Sequence, residues 1–330
     1  MDDRFENTQY IYRLLNIKGV GPAKVHAIWR AANDISCDID DLLKNKQLSA
    51  KFLKPDQLAQ FHANKNLFDE VYSRLEREGI QTINVFEESY PLRLKSTLGD
   101  KAPLLLTYLG NRSLLDKKSV GFCGSRKASP KGILTASDCS DQLARHGINI
   151  NSGYATGIDM TTHRAAFESG GTTTIILPEG ILNFRVKKQI EDVWDWERAC
   201  VLSEFFPSLP WSVQNAMQRN TTICALSQVM ILIEAGATGG SIEAGKTSLK
   251  LNIPLLAPTY EGMPDSAVGN RLLLEQGAHK IHKSKSTGRA NLDAVLEYLS
   301  KRSEVRYDYT QQEAQMVMER DQLNLFSGDK

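Results

Sequence analysis

Apolar positions along the chain change their spacing twice, which divides the sequence into three main regions. Residues 7 to about 80 carry four short segments with apolar residues at helical spacing, which predicts an all-helical domain over residues 1–85. Residues 86–118 are marked by proline and glycine turn signals and predict an irregular connector. From residue 119 onward, short apolar runs alternate with amphipathic segments.

This alternation, together with the connector before it, predicts an α/β domain over residues 86–285, built on a doubly wound parallel sheet. Ligands of such sheets bind at the carboxyl ends of the strands. Glycine-rich loops follow two of the predicted strands, SVGFC and INI, so we expect a binding site there. Residues 286–330 predict one further helix and a polar tail.

Composition predicts a soluble cytoplasmic protein. The chain is 41% hydrophobic and 24% charged, and it has no apolar run of about 18 residues that would suggest a membrane span. The amino-terminal segment MDDRFENTQY is acidic and polar, unlike a secretory signal peptide. Five scattered cysteines lack metal-ligand spacing, so we expect reduced thiols, no metal and no cofactor.

A net charge of only +1 predicts no general attraction to nucleic acid, so any basic surface must be local. Each basic run is also compatible with an ordinary solvated face. The candidates are Arg126-Lys127 with Lys131, Arg185 with Lys187-Lys188, and Lys280 with Lys283 and Lys285.

The segment Gly19-Val20-Gly21 joins two predicted helices and resembles a helix-hairpin-helix turn. Glycine can adopt positive φ in such a turn, and Pro22 suits the first position of the next helix. Backbone amides at that helix start could hold a phosphate. A simple turn between helices is the alternative.

Two loops of the α/β region combine glycine with polar side chains. Gly124-Ser125-Arg126 follows the strand SVGFC, where glycine permits close approach of a ligand and Arg126 can grip a phosphate with two hydrogen bonds. Ser152-Gly153 follows the next strand, and Gly157 and Asp159 complete that loop, with Asp159 expected to cap a helix. We expect these loops to line an anion-binding pocket.

Over residues 90–282 the chain resembles the DprA/Smf family in the order and spacing of its motifs. They are GFCGSR…SPKG, ININSGYATGID…GGTTTIILPEG, SEF, QRN…ALSQVMILIEA…GGS, IPLLAP and GN…LLEQGA. The resemblance implies a Rossmann-like domain that binds single-stranded DNA, helps to load the RecA recombinase and forms a homodimer.

The same resemblance assigns roles by motif. It implies that Gly124, Ser125 and Arg126 hold a phosphate near Lys131, and that Ser152, Gly153, Gly157 and Asp159 shape the neighbouring loop. Arg219 and Asn220 would add a second backbone contact, with Gly240 and Ser241 forming the opposite floor. The chain departs from the family pattern at Thr221, where an arginine is usual, and at Ala244, where a threonine is usual.

Gly240–Thr247 also matches the G-x-x-x-x-G-K-T pattern of phosphate-binding P-loops. A true P-loop follows its strand directly, whereas six residues separate this motif from the strand VMILI. We therefore expect Gly245–Lys250 to lie inside a helix, and ATP binding becomes a minor alternative.

The carboxyl-terminal tail carries Gln322-Leu323-Asn324-Leu325-Phe326, which resembles the pentapeptide that binds the replicative sliding clamp. Leu323, Leu325 and Phe326 can enter an apolar groove while Gln322 hydrogen-bonds its rim. A tail that packs on its own domain is the alternative.

Three function classes remain open. A non-enzymatic mediator that binds single-stranded DNA is the main hypothesis, serving transformation, recombination or defence. A nucleotide-cleaving enzyme resembling the LOG-type phosphoribohydrolases is the second, although the chain has Pro178-Glu179-Gly180 in place of the P-G-G-x-G-T-x-x-E run. A sensor of a small nucleotide is the third.

Overall fold

The computed structural model describes residues 3–259, 262 and 267–301. Its helices are α1 (Asp3–Leu15), α2 (Pro22–Asp34), α3 (Ile39–Lys44), α4 (Lys46–Ser49), α5 (Pro55–Ala63), α6 (Leu67–Arg77), α7 (Leu92–Leu98), α8 (Pro130–Arg145), α9 (Ile158–Glu168), α10 (Lys188–Glu191), α11 (Val213–Leu226), α12 (Gly240–Lys250), α13 (Val268–Glu275) and α14 (293–301). Its strands are β1 (Gln81–Asn84), β2 (Leu105–Gly110), β3 (Ser119–Cys123), β4 (Asn149–Ser152), β5 (Thr173–Ile176), β6 (Ala199–Ser203), β7 (Val229–Leu232), β8 (Leu255–Pro258) and β9 (His279–Ile281).

The strands form one sheet in the order β1-β2-β6-β5-β4-β3-β7-β8-β9. All neighbours from β6 to β9 pair in parallel, whereas β1 and β2 pair antiparallel and extend the β6 edge. This confirms the predicted Rossmann-like α/β fold preceded by a helical region. The irregular connector was a wrong prediction, because residues 105–110 form a strand whose backbone pairs with β6.

The strand order reverses between β3 and β7. From β3 the chain proceeds outward through β4, β5 and β6, and it then returns to place β7 on the other side of β3. Loops that leave the carboxyl ends of β3 and β7 therefore diverge to opposite faces and leave a crevice between them. The fold places its natural ligand site at this switch point.

The two faces of the sheet have separate buried cores. On one face, Ile11 of α1 and Phe61 of α5 belong to the same apolar cluster as Leu106 of β2. On the other face, Phe122 of β3 packs in a cluster that includes Val295 of α14. Burial of both faces explains why β3, β7 and β8 are continuous runs of mainly apolar residues rather than alternating ones.

Asn270 of α13 joins the ends of two central strands. Its fully buried side chain accepts a hydrogen bond from Ala235 N (3.0 Å) and donates to the carbonyls of Ile233 (2.7 Å) and Pro258 (3.3 Å). Each of these backbone groups lies just at or beyond the carboxyl end of β7 or β8, where the ladder ends. The side-chain amide of Asn270 therefore links the carboxyl ends of β7 and β8, on the side of the sheet where the switch-point crevice lies.

We expect Asn270→Ala to lower the free energy of unfolding by about 2–4 kcal/mol, because it leaves buried backbone groups without partners. Denaturant unfolding measures this loss. Asn183→Ala is the control, since it removes one exposed hydrogen bond to Leu209 O (2.9 Å) and should cost about 1 kcal/mol or less. Equal losses in the two variants would contradict a special role for Asn270.

Candidate functional site

Two adjoining cavities occupy the switch point, with volumes of 360 Å³ and 260 Å³. Both are lined by Arg126, Ala155, Trp211 and Arg219, so we treat them as one switch-point pocket. The 360 Å³ part adds the loops after β3 and β7 and the starts of α11 and α12. Of the predicted residues it contains Gly124, Ser125, Arg126, Asp159, Arg219, Asn220, Gly240 and Ser241.

The loop after β3 places Arg126 at the mouth of this pocket. Gly124 lies against Ile158, and a Cβ added there would approach Ile158 Cγ1 to 2.5 Å. Ser125 Oγ accepts a hydrogen bond from Lys127 N (3.0 Å), which folds the loop into a tight turn. Arg126 is exposed, with its guanidinium 5.7 Å from the centre of the Trp211 ring.

Gly157 fits the second loop against the first. Its φ is +81°, and an added Cβ would approach Ser125 O to 2.4 Å and Arg126 O to 2.7 Å. Ser152 is fully buried and donates to Phe122 O (2.9 Å), so it shapes the loop from below. Gly157 must therefore stay small for Arg126 to keep its position.

Asp159 was wrongly predicted to cap α9. Gly157 occupies the N-cap position and α9 begins at Ile158, so Asp159 lies in the first turn. Its buried carboxylate instead accepts a hydrogen bond from Ala155 N (3.2 Å) and braces the loop. Burial raises the pKa of Asp159, while Arg219 opposes this rise.

Arg219 forms the buried floor of the pocket rather than an exposed contact. Only 5% of its surface is accessible, and its guanidinium donates to Ile176 O (2.6 Å). Among the described residues its Nε has no hydrogen-bond partner. Burial lowers the pKa of Arg219 and Asp159 raises it, yet a guanidinium stays charged in proteins. The floor is therefore positive and suits an anion above it.

Gly153 separates this floor from the pocket loop. A Cβ added to Gly153 would lie 2.2 Å from Arg219 Nη1 and 2.4 Å from Asp159 Oδ2. His163 holds the carbonyl of Gly153 from below through Nε2 (2.6 Å), and burial lowers the pKa of this histidine to about 4. A carbonyl only accepts, so Nε2 carries the hydrogen and His163 has a structural role.

The opposite wall begins with α12. Asn220 donates to Gly240 O (3.2 Å), and Gly239 precedes the helix with a φ of +104°. Gly245–Lys250 lies inside α12 as predicted, and the helix also includes the rest of the P-loop-like stretch from Gly240. Lys246 pairs with Glu243 (2.8 Å) on its surface. This motif therefore does not form a phosphate-cradling loop.

Glu179, Lys187 and Trp211 also line the pocket, although none of them was predicted as a site residue. Lys187 donates to Tyr154 O, and its ammonium lies 4.2 Å from the centre of the Tyr154 ring. Burial raises the pKa of Glu179 and lowers that of Lys187. The basic cluster at Lys187-Lys188 was the available signal for one of them, while nothing local marks Trp211.

Tyr154 was the expected aromatic surface, but its ring is buried against Phe184. Its hydroxyl donates to Arg185 O (3.2 Å) and accepts from Lys187 N (2.9 Å), which fixes the ring in the wall. Trp211, with 46% of its surface accessible, is instead the open aromatic side chain at the pocket.

Lys131 and the helix-hairpin-helix residues lie outside the lining of this pocket. Lys131, in the first turn of α8, lines a separate cavity of 410 Å³. The turn between α1 and α2 has Gly19 at a φ of +82° and Gly21 as the N-cap before Pro22. Val20 is buried and donates from its backbone to Ile17 O (3.0 Å). The clamp-like motif Gln322–Phe326 lies outside the described residues.

A separate cavity of 550 Å³ between the helical region and the sheet contains no predicted site residue. Tyr12 contacts the rings of Phe68 and Phe206 in its wall. Within the described ranges, no helix is long and apolar enough to cross a membrane, and no group of three His, Cys, Asp or Glu side chains is placed to hold a metal.

A parallel sheet with a topological switch point, and a pocket lined by cationic side chains at that point, define a Rossmann-like α/β protein. A family model described as DNA recombination-mediator protein A matches residues 81–290, and the chain belongs to this family.

Curated relatives and solved structures agree with this assignment. DNA processing protein DprA of Bacillus subtilis is 28% identical over 229 residues, covering 66% of this chain and 76% of the relative. DNA processing protein A from Streptococcus pneumoniae has a similar structure, with a TM-score of 0.69 and 25% identity over 83% of this chain and 94% of that one. DNA processing protein A from Helicobacter pylori, a single-stranded DNA binder, shares the fold with a TM-score of 0.53. It is 22% identical over 68% of this chain and 96% of that one.

Gly157→Ala should lower the free energy of unfolding by about 2–4 kcal/mol, since it adds steric overlap with the Ser125 and Arg126 carbonyls to the strain of positive φ. Gly147→Ala is the matched control, because Gly147 has a φ of +72° and nothing within 4 Å of an added Cβ. That variant should lose only about 1–2 kcal/mol. Thermal unfolding measures the stability of the two variants. Equal losses would contradict the close packing of the loop after β4 against the loop after β3.

Proposed function

We propose that this protein binds single-stranded DNA at the switch-point pocket and acts as a recombination mediator without transforming a substrate. One observation carries the proposal: the pocket combines the cations Arg126, Lys187 and Arg219 with the exposed ring of Trp211. A nucleic acid single strand offers both matching groups, since it presents phosphates and unpaired bases together. Family membership and the single-stranded DNA binding of the Helicobacter pylori protein support the same ligand.

The cations of the pocket differ in how they meet a phosphate. Arg126 is exposed and can donate two parallel hydrogen bonds to phosphate oxygens. Lys187 is half-buried in the wall, and Arg219 contributes its charge from the floor. The carboxylates of Asp159 and Glu179 offset two of these three positive charges. The net charge of the pocket is therefore positive only while all three cations are present. This makes Arg126 the most sensitive position.

An apolar rim beside these cations favours single strands over duplexes. Trp211, Val213 and Met217 are all exposed large side chains, and all three line the pocket. Bases in a duplex are stacked and paired, whereas those of a single strand are available for an aromatic side chain. The rim therefore provides a reason for strand selectivity that charge alone does not.

Nucleotide cleavage has less support. Glu234 is fully buried, and its carboxylate accepts hydrogen bonds from Ser129 N (2.8 Å) and Ser129 Oγ (2.5 Å). Glu243 pairs with Lys246 on the surface of α12. Glu179 and Asp159 are the carboxylates that line the pocket, and burial raises the pKa of both, so binding of a mononucleotide is retained as an arm of the test below.

Four finer aspects of the function are part of the proposal. Family membership supports loading of a RecA-type recombinase and a homodimer. The turn Gly19-Val20-Gly21 would add backbone contacts to DNA, since Gly21 is open to solvent at the start of α2. Gln322, Leu323, Leu325 and Phe326 would bind the sliding clamp, which would couple the protein to replication or repair.

We expect Arg126→Ala to weaken binding of a fluorescent oligothymidine by about 10- to 100-fold, because a charge-assisted contact to phosphate contributes about 1.5–3 kcal/mol. Fluorescence anisotropy across a salt series also gives the slope of log K against log salt. Loss of one phosphate contact should reduce that slope by about 0.7.

Arg145→Ala is the control for Arg126→Ala, because Arg145 is an exposed arginine in the last turn of α8, where it pairs with Asp141. It should bind like the wild type. If the wild type binds no oligonucleotide at low salt, the mediator proposal is wrong. Binding of a mononucleotide that DNA does not displace would favour the sensor instead.

Trp211→Ala should weaken single-strand binding by about 5- to 100-fold, because stacking of one base contributes about 1–3 kcal/mol, while Trp211→Phe should retain most of the affinity. Trp196→Ala is a matched control: Trp196 is 41% exposed and does not line the pocket. Fluorescence anisotropy with single-stranded and double-stranded oligonucleotides measures how much Trp211 contributes to each affinity. A Trp211→Ala protein that binds both forms like the wild type would exclude stacking.

A further inference from the structure

The cavity between the helical region and the sheet has no part in the proposed function. Its volume of 550 Å³ is in the range of small-molecule sites. Helices α1 and α6 form one wall, the antiparallel pair β1 and β2 forms another, and the segment 204–209 after β6 forms the third. Exposed side chains, among them Leu15 and Leu209, line its mouth, so a ligand can enter from solvent. We call it the helix–sheet cavity.

Glu204 provides an acceptor in this cavity, at the carboxyl end of β6. Its Oε1 accepts a hydrogen bond from Thr222 Oγ1 (2.9 Å), and its Oε2 accepts one from Gln218 Nε2 (3.3 Å). Both donors lie on α11 and fix the orientation of the carboxylate. Each oxygen keeps a further lone pair, because a carboxylate can accept about four hydrogen bonds. Within the described ranges Glu204 forms no ion pair, so this remaining capacity is open to a ligand.

Two hydroxyls of the same lining have no hydrogen-bond partner in the part of the chain that the structure describes. They are Tyr12 Oη and Thr82 Oγ1, and both atoms are buried. Thr107, which pairs with Thr82 across β1 and β2, instead donates its hydroxyl to Ser203 O (3.4 Å). Buried polar groups are rarely left unpaired, and such groups often mark a place where water or a ligand binds. The lining therefore contains polar groups that the chain itself does not satisfy.

Most of the other lining residues are apolar, for example Leu75, Leu105 and Phe205. The ring of Tyr12 lies 4.6 Å from that of Phe206 in this wall, centre to centre. Walls of this kind suit a ligand with apolar faces, while the carboxylate of Glu204 requires hydrogen-bond donors along one edge. A nucleobase combines the two properties, since its faces are apolar and its edge is polar.

The charges around Glu204 favour a neutral donor over an organic cation. Burial raises the pKa of Glu204, whereas its two hydrogen bonds and the charge of Arg219 lower it. Lys101 adds a second positive charge, because it lines the cavity and is exposed. A guanidinium or ammonium ligand would meet both of these cations, whereas neutral N–H groups would not. We therefore expect a ligand whose donors are uncharged.

Among the DNA bases, guanine has the edge that matches a carboxylate. Its N1–H and its N2 amino group are adjacent donors, so they can bond to both oxygens of one carboxylate. Adenine and cytosine each present one amino group beside an acceptor nitrogen, and thymine presents one N–H between two carbonyls. Those acceptors would face the lone pairs of the carboxylate and be repelled.

We propose that the helix–sheet cavity binds a guanine base, with Glu204 as the acceptor for its N1–H and N2 amino groups. The base belongs either to a free nucleoside or to a strand held at the switch-point pocket, since only Pro210 separates Leu209 of the cavity from Trp211 of the pocket. The inference goes beyond the proposed function, because the two sites share no lining residue among those described.

The first test titrates the full chain with deoxynucleosides and measures binding by saturation-transfer NMR. Deoxynucleosides carry no phosphate, so the cations of the switch-point pocket contribute little to their binding. We expect deoxyguanosine to bind at least about tenfold more tightly than deoxyinosine, which lacks the N2 amino group and so loses one hydrogen bond to a charged acceptor. Deoxyadenosine and deoxycytidine should bind at least as weakly as deoxyinosine.

Glu204→Gln should weaken the binding of deoxyguanosine by at least about tenfold, because the amide replaces one acceptor oxygen with a donor. Glu243→Gln is the matched control, since Glu243 pairs with Lys246 on the surface of α12 and lines neither site. It should bind deoxyguanosine like the wild type. The nucleoside series uses the unaltered protein, so it decides the base preference whatever the stability of Glu204→Gln.

Two oligothymidines of equal length, one with a single central deoxyguanosine, distinguish the two sources of the base. Tighter binding of the strand that contains guanine, with the difference lost in Glu204→Gln, would assign the site to a base of the bound strand. Equal binding of the two strands, together with binding of deoxyguanosine, would assign the site to a free nucleoside.

Two results would overturn the inference. One is deoxyguanosine that binds no more tightly than deoxyadenosine, and the other is a Glu204→Gln protein that binds deoxyguanosine as Glu243→Gln does. Neither result affects the Arg126→Ala test of the proposed function. Conversely, a wild type that binds deoxyguanosine but no oligothymidine at low salt would reject the proposed function and support the guanine site.

Discussion

The burial of Arg219 is the constraint on which the pocket depends. Its guanidinium donates to the end of β5 at Ile176 O, lies directly beneath Gly153 and is balanced by Asp159 at the start of α9. A charge with this little solvent requires compensation from every side. This requirement accounts for Gly153 above the guanidinium, the Asp159 carboxylate beside it and the end of β5 below it. His163 supports the arrangement through its hydrogen bond to the Gly153 carbonyl.

This arrangement separates residues that build the pocket from residues that can touch a ligand. Ser152, Gly153 and Asp159 belong to the first group, since their side chains or backbones are engaged below the surface. Arg126 and Trp211 belong to the second, as both are exposed at the mouth. A sequence motif can contain both kinds of residue and so predict that all of its members bind the ligand, although only some of them are exposed to solvent.

Some elements could be predicted from the sequence because their local signals agree. The start of α2 agrees with the prediction, since Pro22 suits the first position of a helix and α2 begins there. In contrast, β9 has only three residues, and β2 follows Pro103 in a segment marked by turn signals, so neither was predicted as a strand. Both strands exist because a neighbouring strand offers its backbone groups for pairing.

The sequence by itself determined the fold class, the order of strands and helices through the central region, and the two glycine loops, because apolar period and turn chemistry are local properties. Only the tertiary structure decided which side chains share a cavity. It brought Lys187 and Trp211 to Arg126, placed Lys131 beside Lys283 instead, and buried Arg219. The reason is that strand order in the sheet sets which loops converge, and packing between distant segments sets which charges meet solvent.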